Sequence, residues 1–195
     1  MPLTPPQDDG WIAFVDESES NPQLDPDVYI LAAALVHGTA CEKIRAWMGG
    51  LRLDGQRKLH WAKESASRRD EIIHAVESLD VLYLVVLLED ISGSTSERRR
   101  RRCLERLLWE LIQSGVRHVV LEARERTQNK RDLDLLTVLA SRHRITARPR
   151  VDHLAGPAEP LLWLADVLAG ALVASRCGDP GYWERLAVSV EMHRL

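Results

Sequence analysis

The chain predicts an α/β fold built on a mixed sheet, and three observations carry that prediction. Two apolar runs, residues 11–15 and 28–36, flank a polar, proline-containing connection, the pattern of an antiparallel hairpin. From Val81 onward, apolar runs alternate with stretches of helical period, as parallel strands joined by crossover helices do. Two helical segments lie between these halves, so a helical insertion follows the second strand. The 195 residues divide most simply into a flexible arm over 1–10 and a single domain over 11–195.

Residues 11–16 read as the first strand and 28–36 as the second. Residues 41–53 have helical spacing through Ile44, Trp47, Met48 and Leu51, with Gly55 as the stop. Ser67 begins another helix through Ile72, Ile73, Val76 and Leu79. Residues 81–88 are an unbroken apolar run of β-branched residues, Leu and Tyr, which predicts a strand buried on both faces. Ser94 with Glu97 reads as a capping box, opening a helix whose buried stripe is Leu104, Leu107, Leu108, Leu111 and Ile112. Gly115 ends it. A strand over 116–121, a helix over 132–141, a strand over 144–151, an apolar helix over 161–175 and a short strand within 186–195 complete the order. The mixed sheet that results is compatible with a ribonuclease H-like core, though other α/β arrangements share the pattern.

A formal charge of −3 excludes a generally basic nucleic-acid coat but leaves room for local basic patches. Cys41, Cys103 and Cys177 are odd in number and widely spaced, which argues against a disulfide framework or a structural zinc site and fits a reducing compartment. The start carries no basic and apolar leader pattern. The most lipid-like stretch, 161–174, is shorter than the ~20 residues a bilayer span needs and has Asp166 in its middle. These features predict a cytoplasmic protein with no membrane partner. No Walker, dinucleotide-binding, nucleophile-elbow or zinc-protease signature is present.

The residues that could carry chemistry are acids at strand ends. Asp16 and Glu17 close the first strand, and Glu122 closes the strand ending in Val119, Val120 and Leu121. If those strands are parallel neighbours, their carboxylates emerge together at the carboxyl edge of the sheet, where α/β proteins bind ligands. Asp166 sits on a helix among Leu162, Trp163, Ala169 and Gly170, and an ionised carboxylate on such a surface requires a partner. A metal ion is one partner; a core arginine is the other. Lys58 and His60 alternate in the segment Arg57-Lys58-Leu59-His60-Trp61, so both could address an anion. Arg98 to Arg102 place five cations in the first turns of a helix, against its dipole. Phosphate binding and a solvated charged turn explain them equally well. Arg142, Arg144, Arg148, Arg150 and the loop from Arg124 to Arg131 are further candidates for a backbone-binding surface.

Four segments, Phe14-Val15-Asp16-Glu17-Ser18, Lys58-Leu59-His60-Trp61, Leu121-Glu122-Ala123-Arg124 and residues 162–171 (LWLADVLAGA), together resemble the bacterial domain-of-unknown-function 3800 family in order and spacing. The likeness covers most of the chain from Trp11 to about Ser175. It implies a ribonuclease H-like fold with an acidic metal site. On that basis Asp16, Glu122 and Asp166 would hold Mg²⁺ or Mn²⁺, Glu17 would be a fourth acid, and Lys58 and His60 would contact a scissile phosphate in RNA or DNA. The implied activity is metal-dependent phosphodiester hydrolysis. The alternative is a catalytically silent module of the same fold that binds nucleic acid or a partner protein. Two positions depart from the family pattern: Glu19 follows Ser18 where Gly is common, and Glu122 stands where many members have Asp.

Overall fold

A computed structural model of the chain describes residues 10–89 and 93–195. The expected arm over 1–10 therefore lies, apart from Gly10, outside the described residues. The sheet has six strands: β1 (Trp11–Glu19), β2 (Val28–His37), β3 (Leu82–Glu89), β4 (His118–Glu122), β5 (Arg150–Leu154) and β6 (Val190–Arg194). Their spatial order is β5-β4-β1-β2-β3-β6. The pairs β1/β2 and β2/β3 are antiparallel, whereas β1/β4, β4/β5 and β3/β6 are parallel. This is the predicted mixed sheet. The insertion after β2 consists of helices α1 (Cys41–Gly50) and α2 (Ala66–Val76).

Period-2 alternation divides the sheet into two cores. Ile12, Phe14, Ile30, Ala32, Ala34 and Val120 face one layer, made of α1, α2 and the long helix α5 (Leu162–Arg176). Ala13, Val15, Leu31, Val119 and Leu121 face the other, made of α3 (Ser96–Gln113) and α4 (Arg126–Arg142). α5 can lie close to the strands because both surfaces are small there: Ala32 and Ala34 on β2, Ala165 and Ala169 on the helix, all at most 1% exposed. A short helix, α6 (Gly181–Leu186), precedes β6.

Several boundaries differ from the sequence reading, each for a local reason. β1 does not end at Asp16; its antiparallel ladder with β2 continues to Glu19, opposite Tyr29. The parallel ladder with β4 stops one position before Asp16, at Val15 opposite Leu121. α1 ends at Gly50 rather than Leu53, since Gly49 and Gly50 weaken its last turn. Ser65, not Ser67, caps α2 by accepting from the Arg68 N–H at 3.3 Å, and Thr95, not Ser94, caps α3 by accepting from Arg98. α4 starts six residues early, at Arg126, because Gln128 reaches back to the Glu125 N–H at 3.3 Å. β5 starts at Arg150 instead of Arg144: Arg144 takes a left-handed conformation (φ 52°) and the Ile145 N–H closes on Ala140, capping α4.

Candidate metal centre

The register of β1 and β4 builds the first corner. With Val15 opposite Leu121, Asp16 and Glu122 follow on neighbouring parallel strands ~4.8 Å apart. Alternation turns both toward the α5 face, the side of Phe14 and Val120. Asp166, one turn into α5, supplies the third acid. Its Oδ2 accepts the Trp61 N–H at 2.7 Å, and His60 Nδ1 lies 3.4 Å away. Lys58 Nζ donates to Glu122 Oε1 at 2.6 Å. The segment between the insertion helices thus serves two acids at once. Buried Leu59 (1% exposed) and Trp61 (4%) anchor it while Lys58 and His60 point into the site.

Electrostatics tie these groups together. Burial, then the charges of Glu122 and Asp166, hold the Asp16 carboxyl well above its ordinary range, against the N–H of Glu17 that bonds Oδ1 at 2.8 Å. Burial alone would lower Lys58, but its bond to Glu122 and the charges of Glu122, Asp16 and Asp166 outweigh this and hold the ammonium protonated. Oxygen donors on two strands and a helix fit a hard divalent cation. Among the described residues, the cluster whose ligand atoms all lie within 4.8 Å of one another is a different one, Glu110, Glu191 and His193. At least one pair among Asp16, Glu122 and Asp166 therefore stands wider, with the lysine ammonium against Glu122. The other cluster is already paired: Arg106 contacts Glu110 at 2.6 Å and His193 Nδ1 at 2.8 Å.

Two glycines shape the site. A Cβ on Gly156 would collide with Glu122 Oε1 and reach Lys58 Cδ at 3.0 Å, so only glycine lets this turn close over the pair. Trp163 Nε1 fixes the same turn by donating to the Gly156 carbonyl at 2.8 Å. A Cβ on Gly170 would collide with the Trp61 ring, 2.7 Å or less from three of its atoms.

Glu17 lies on the opposite face of β1. It accepts from Tyr29 Oη at 2.7 Å and pairs with Arg100. Arg100, 3% exposed, also pairs with Asp132, which His153 Nε2 meets at 3.0 Å and Arg124 at 3.3 Å. Burial would raise Asp132, but His153 and Arg100 hold it below the ordinary carboxylate range. Neither sequence explanation of the arginine run holds for its middle: Arg100 is a buried ion-pair centre and Arg99 pairs with Glu19 at 3.0 Å. Arg142 and Arg150 are likewise matched, to Glu105 and Asp152. Sequence reasoning missed this network; the only signal was Asp132 at a helical position beside Leu135 and Leu136. Arg98 and Arg101 remain exposed, on the rim of a groove between α3 and α4 of about 490 Å³.

No family model matches the chain, and no curated protein matches it either. Solved structures do. Ribonuclease HII of Archaeoglobus fulgidus, solved in complex with PCNA, superimposes with a TM-score of 0.54 at 16% identity, over 91% of this chain and 76% of that one. Ribonuclease H2 of Pyrococcus horikoshii OT3 gives a TM-score of 0.46 at 15% identity, covering 90% and 76%. Bst-RNase HIII in complex with Mn²⁺ gives 0.48 at 15% identity, covering 94% and 55%. The first of these likenesses establishes the architecture: the mixed sheet with its flanking helices is a ribonuclease H-like fold.

Proposed function

We propose that this protein is a divalent-metal-dependent nuclease acting on nucleic acid. The observation that carries the reading is the arrival of Asp16, Glu122 and Asp166 from β1, β4 and α5 on one face of the sheet, with Lys58 and His60 set among them. In this reading Asp16, Glu122 and Asp166 hold Mg²⁺ or Mn²⁺, as the donor chemistry favours. The ion, when bound, polarises the phosphoryl oxygens and makes water a better nucleophile. The chain's own residues do the rest. Lys58 places a positive charge beside the reacting phosphate. His60 is 36% exposed at its side chain and its Nε2 makes no hydrogen bond among the described residues, so that nitrogen can exchange a proton with the leaving oxygen. Arg98 and Arg101, exposed and without acid partners among the described residues, are cations that can follow a phosphodiester backbone.

That the similarly folded Archaeoglobus fulgidus protein is named a ribonuclease supports this assignment. We also propose membership of the domain-of-unknown-function 3800 family, on the order of the four motifs, and a cytoplasmic setting, which the free cysteines fit. One observation favours a second reading. Lys58 already satisfies Glu122, as it would in a silent module that binds nucleic acid without cutting it. The test is cleavage of RNA, DNA and hybrid substrates in Mg²⁺ or Mn²⁺ by the wild type, Asp16→Asn and Asp166→Asn. Cleavage that needs metal and disappears in both variants is expected. Binding without cleavage under either ion would replace the enzyme with the silent module.

A further inference from the structure

Lys58 is more than a candidate phosphate contact. Its ammonium sits at 2.6 Å from Glu122, and the pair is built in rather than loose. Both side chains are about three-quarters buried (25% and 24% exposed), and the Gly156 turn closes over the lysine stem and the carboxylate together. Trp163, from the helix that carries Asp166, pins that turn in place. On the other side, Leu59 and the Trp61 N–H fix the backbone from which Lys58 extends. The cation therefore belongs to the site's architecture.

Charge then limits what else the site can take. With all three carboxylates ionised, as metal ligation requires, the acids carry three negative charges and Lys58 returns one, so a single divalent ion brings the cluster to neutrality. A second ion would leave a part-buried site with two excess positive charges beside a fixed ammonium, which low local dielectric penalises. We infer that the site takes one divalent ion, held by Asp16 and Asp166, and that the Lys58 ammonium fills the position at Glu122 which a two-ion centre would give to its second metal. This inference rests on the metal-site reading above and narrows it: Glu122 belongs to Lys58, and the single ion is left to Asp16 and Asp166.

The test counts ions directly. Mn²⁺ alone is titrated by calorimetry into the full chain carrying His193→Gln, which disables the Glu110, Glu191 and His193 cluster. One equivalent is expected with Lys58 or Lys58→Arg, and two with Lys58→Met or Lys58→Gln. Circular dichroism confirms that each variant is folded, and the count in the lysine-bearing protein stands regardless. Two equivalents with Lys58 present, or one in both neutral variants, would overturn the inference while leaving the metal site intact. No Mn²⁺ binding to the lysine-bearing protein would instead remove the metal site itself.

Discussion

Gly170→Ala is a single methyl group with a calculable consequence. Gly170 faces the Trp61 ring from α5, one turn beyond Asp166. An added Cβ would stand under 3.0 Å from Trp61 Cγ, Cδ1 and Nε1. Alanine in a helix interior should help by about 1 kcal/mol relative to glycine. The ring would have to yield for that gain to appear, and it has nowhere to go. Trp61 is 4% exposed, packs edge-on against Tyr182 at 5.1 Å and lies under the Arg69 guanidinium at 5.1 Å. Overpacking of a core costs about 1–3 kcal/mol, and more where the neighbour is rigid. Displacing Trp61 also strains its N–H bond to Asp166, a charge-assisted bond worth about 1.5–3 kcal/mol. The net expectation is a loss of roughly 2–4 kcal/mol. For a chain of this size that is a fall in Tm of about 4–16 °C, at about 2–4 °C per kcal/mol. Thermal melts followed by circular dichroism measure it, and Gly170→Ser should do at least as much harm. A Gly170→Ala protein melting within 1 °C of wild type, or above it, would refute the rigid Trp61 bridge between the Lys58–His60 segment and α5.

Further expectations test the electrostatics. Asp16 has its folded pKa raised by burial and by Glu122 and Asp166, so ionising it opposes folding. The metal-free protein should lose stability as pH climbs from the ordinary value of 3.8 toward the raised folded value. In chelator at pH 7, Asp16→Asn should therefore melt a few degrees higher than wild type, a gain of about 1 kcal/mol, and lose the stabilisation Mg²⁺ gives. A lower Tm in chelator would contradict that. Arg100→Met removes the buried cation closest to Glu17 and Asp132, leaving them the more distant Arg124, and should cost about 3 kcal/mol in urea unfolding. Adding Asp132→Asn should restore part of it. Arg98→Gln with Arg101→Gln should change stability by less than about 0.5 kcal/mol. The same pair should flatten the salt dependence of nucleic-acid binding by a slope of about 2; an unchanged slope would place the backbone elsewhere.

The neighbours Asp16 and Glu17 show how far such a site can be read from sequence. A strand's period of two sends adjacent side chains to opposite faces, so Glu17 is not the fourth acid of the site that the family resemblance implies. What each residue meets depends on partners far along the chain. Asp16 meets Glu122 because Val15 registers with Leu121, and Asp166 because α5 crosses a sheet surface of alanines. These partners were legible: Glu122 ends an apolar run, and Asp166 interrupts a helix that offers it no polar neighbour. Glu17 meets Arg100 and Tyr29, and neither pairing leaves a local trace. Arg100 looks like its four neighbours in an arginine run, and only the helix phase that buries it beside Cys103 and Leu104 distinguishes it. The helix boundaries show the same limit. Gln128 and Arg144 cap α4 through single hydrogen bonds and one backbone conformation, features too small for apolar periodicity to register. The acids of the proposed metal site were visible because carboxylates in apolar settings need an explanation. The arginine that neutralises Glu17 was hidden because it is that explanation, supplied from another helix.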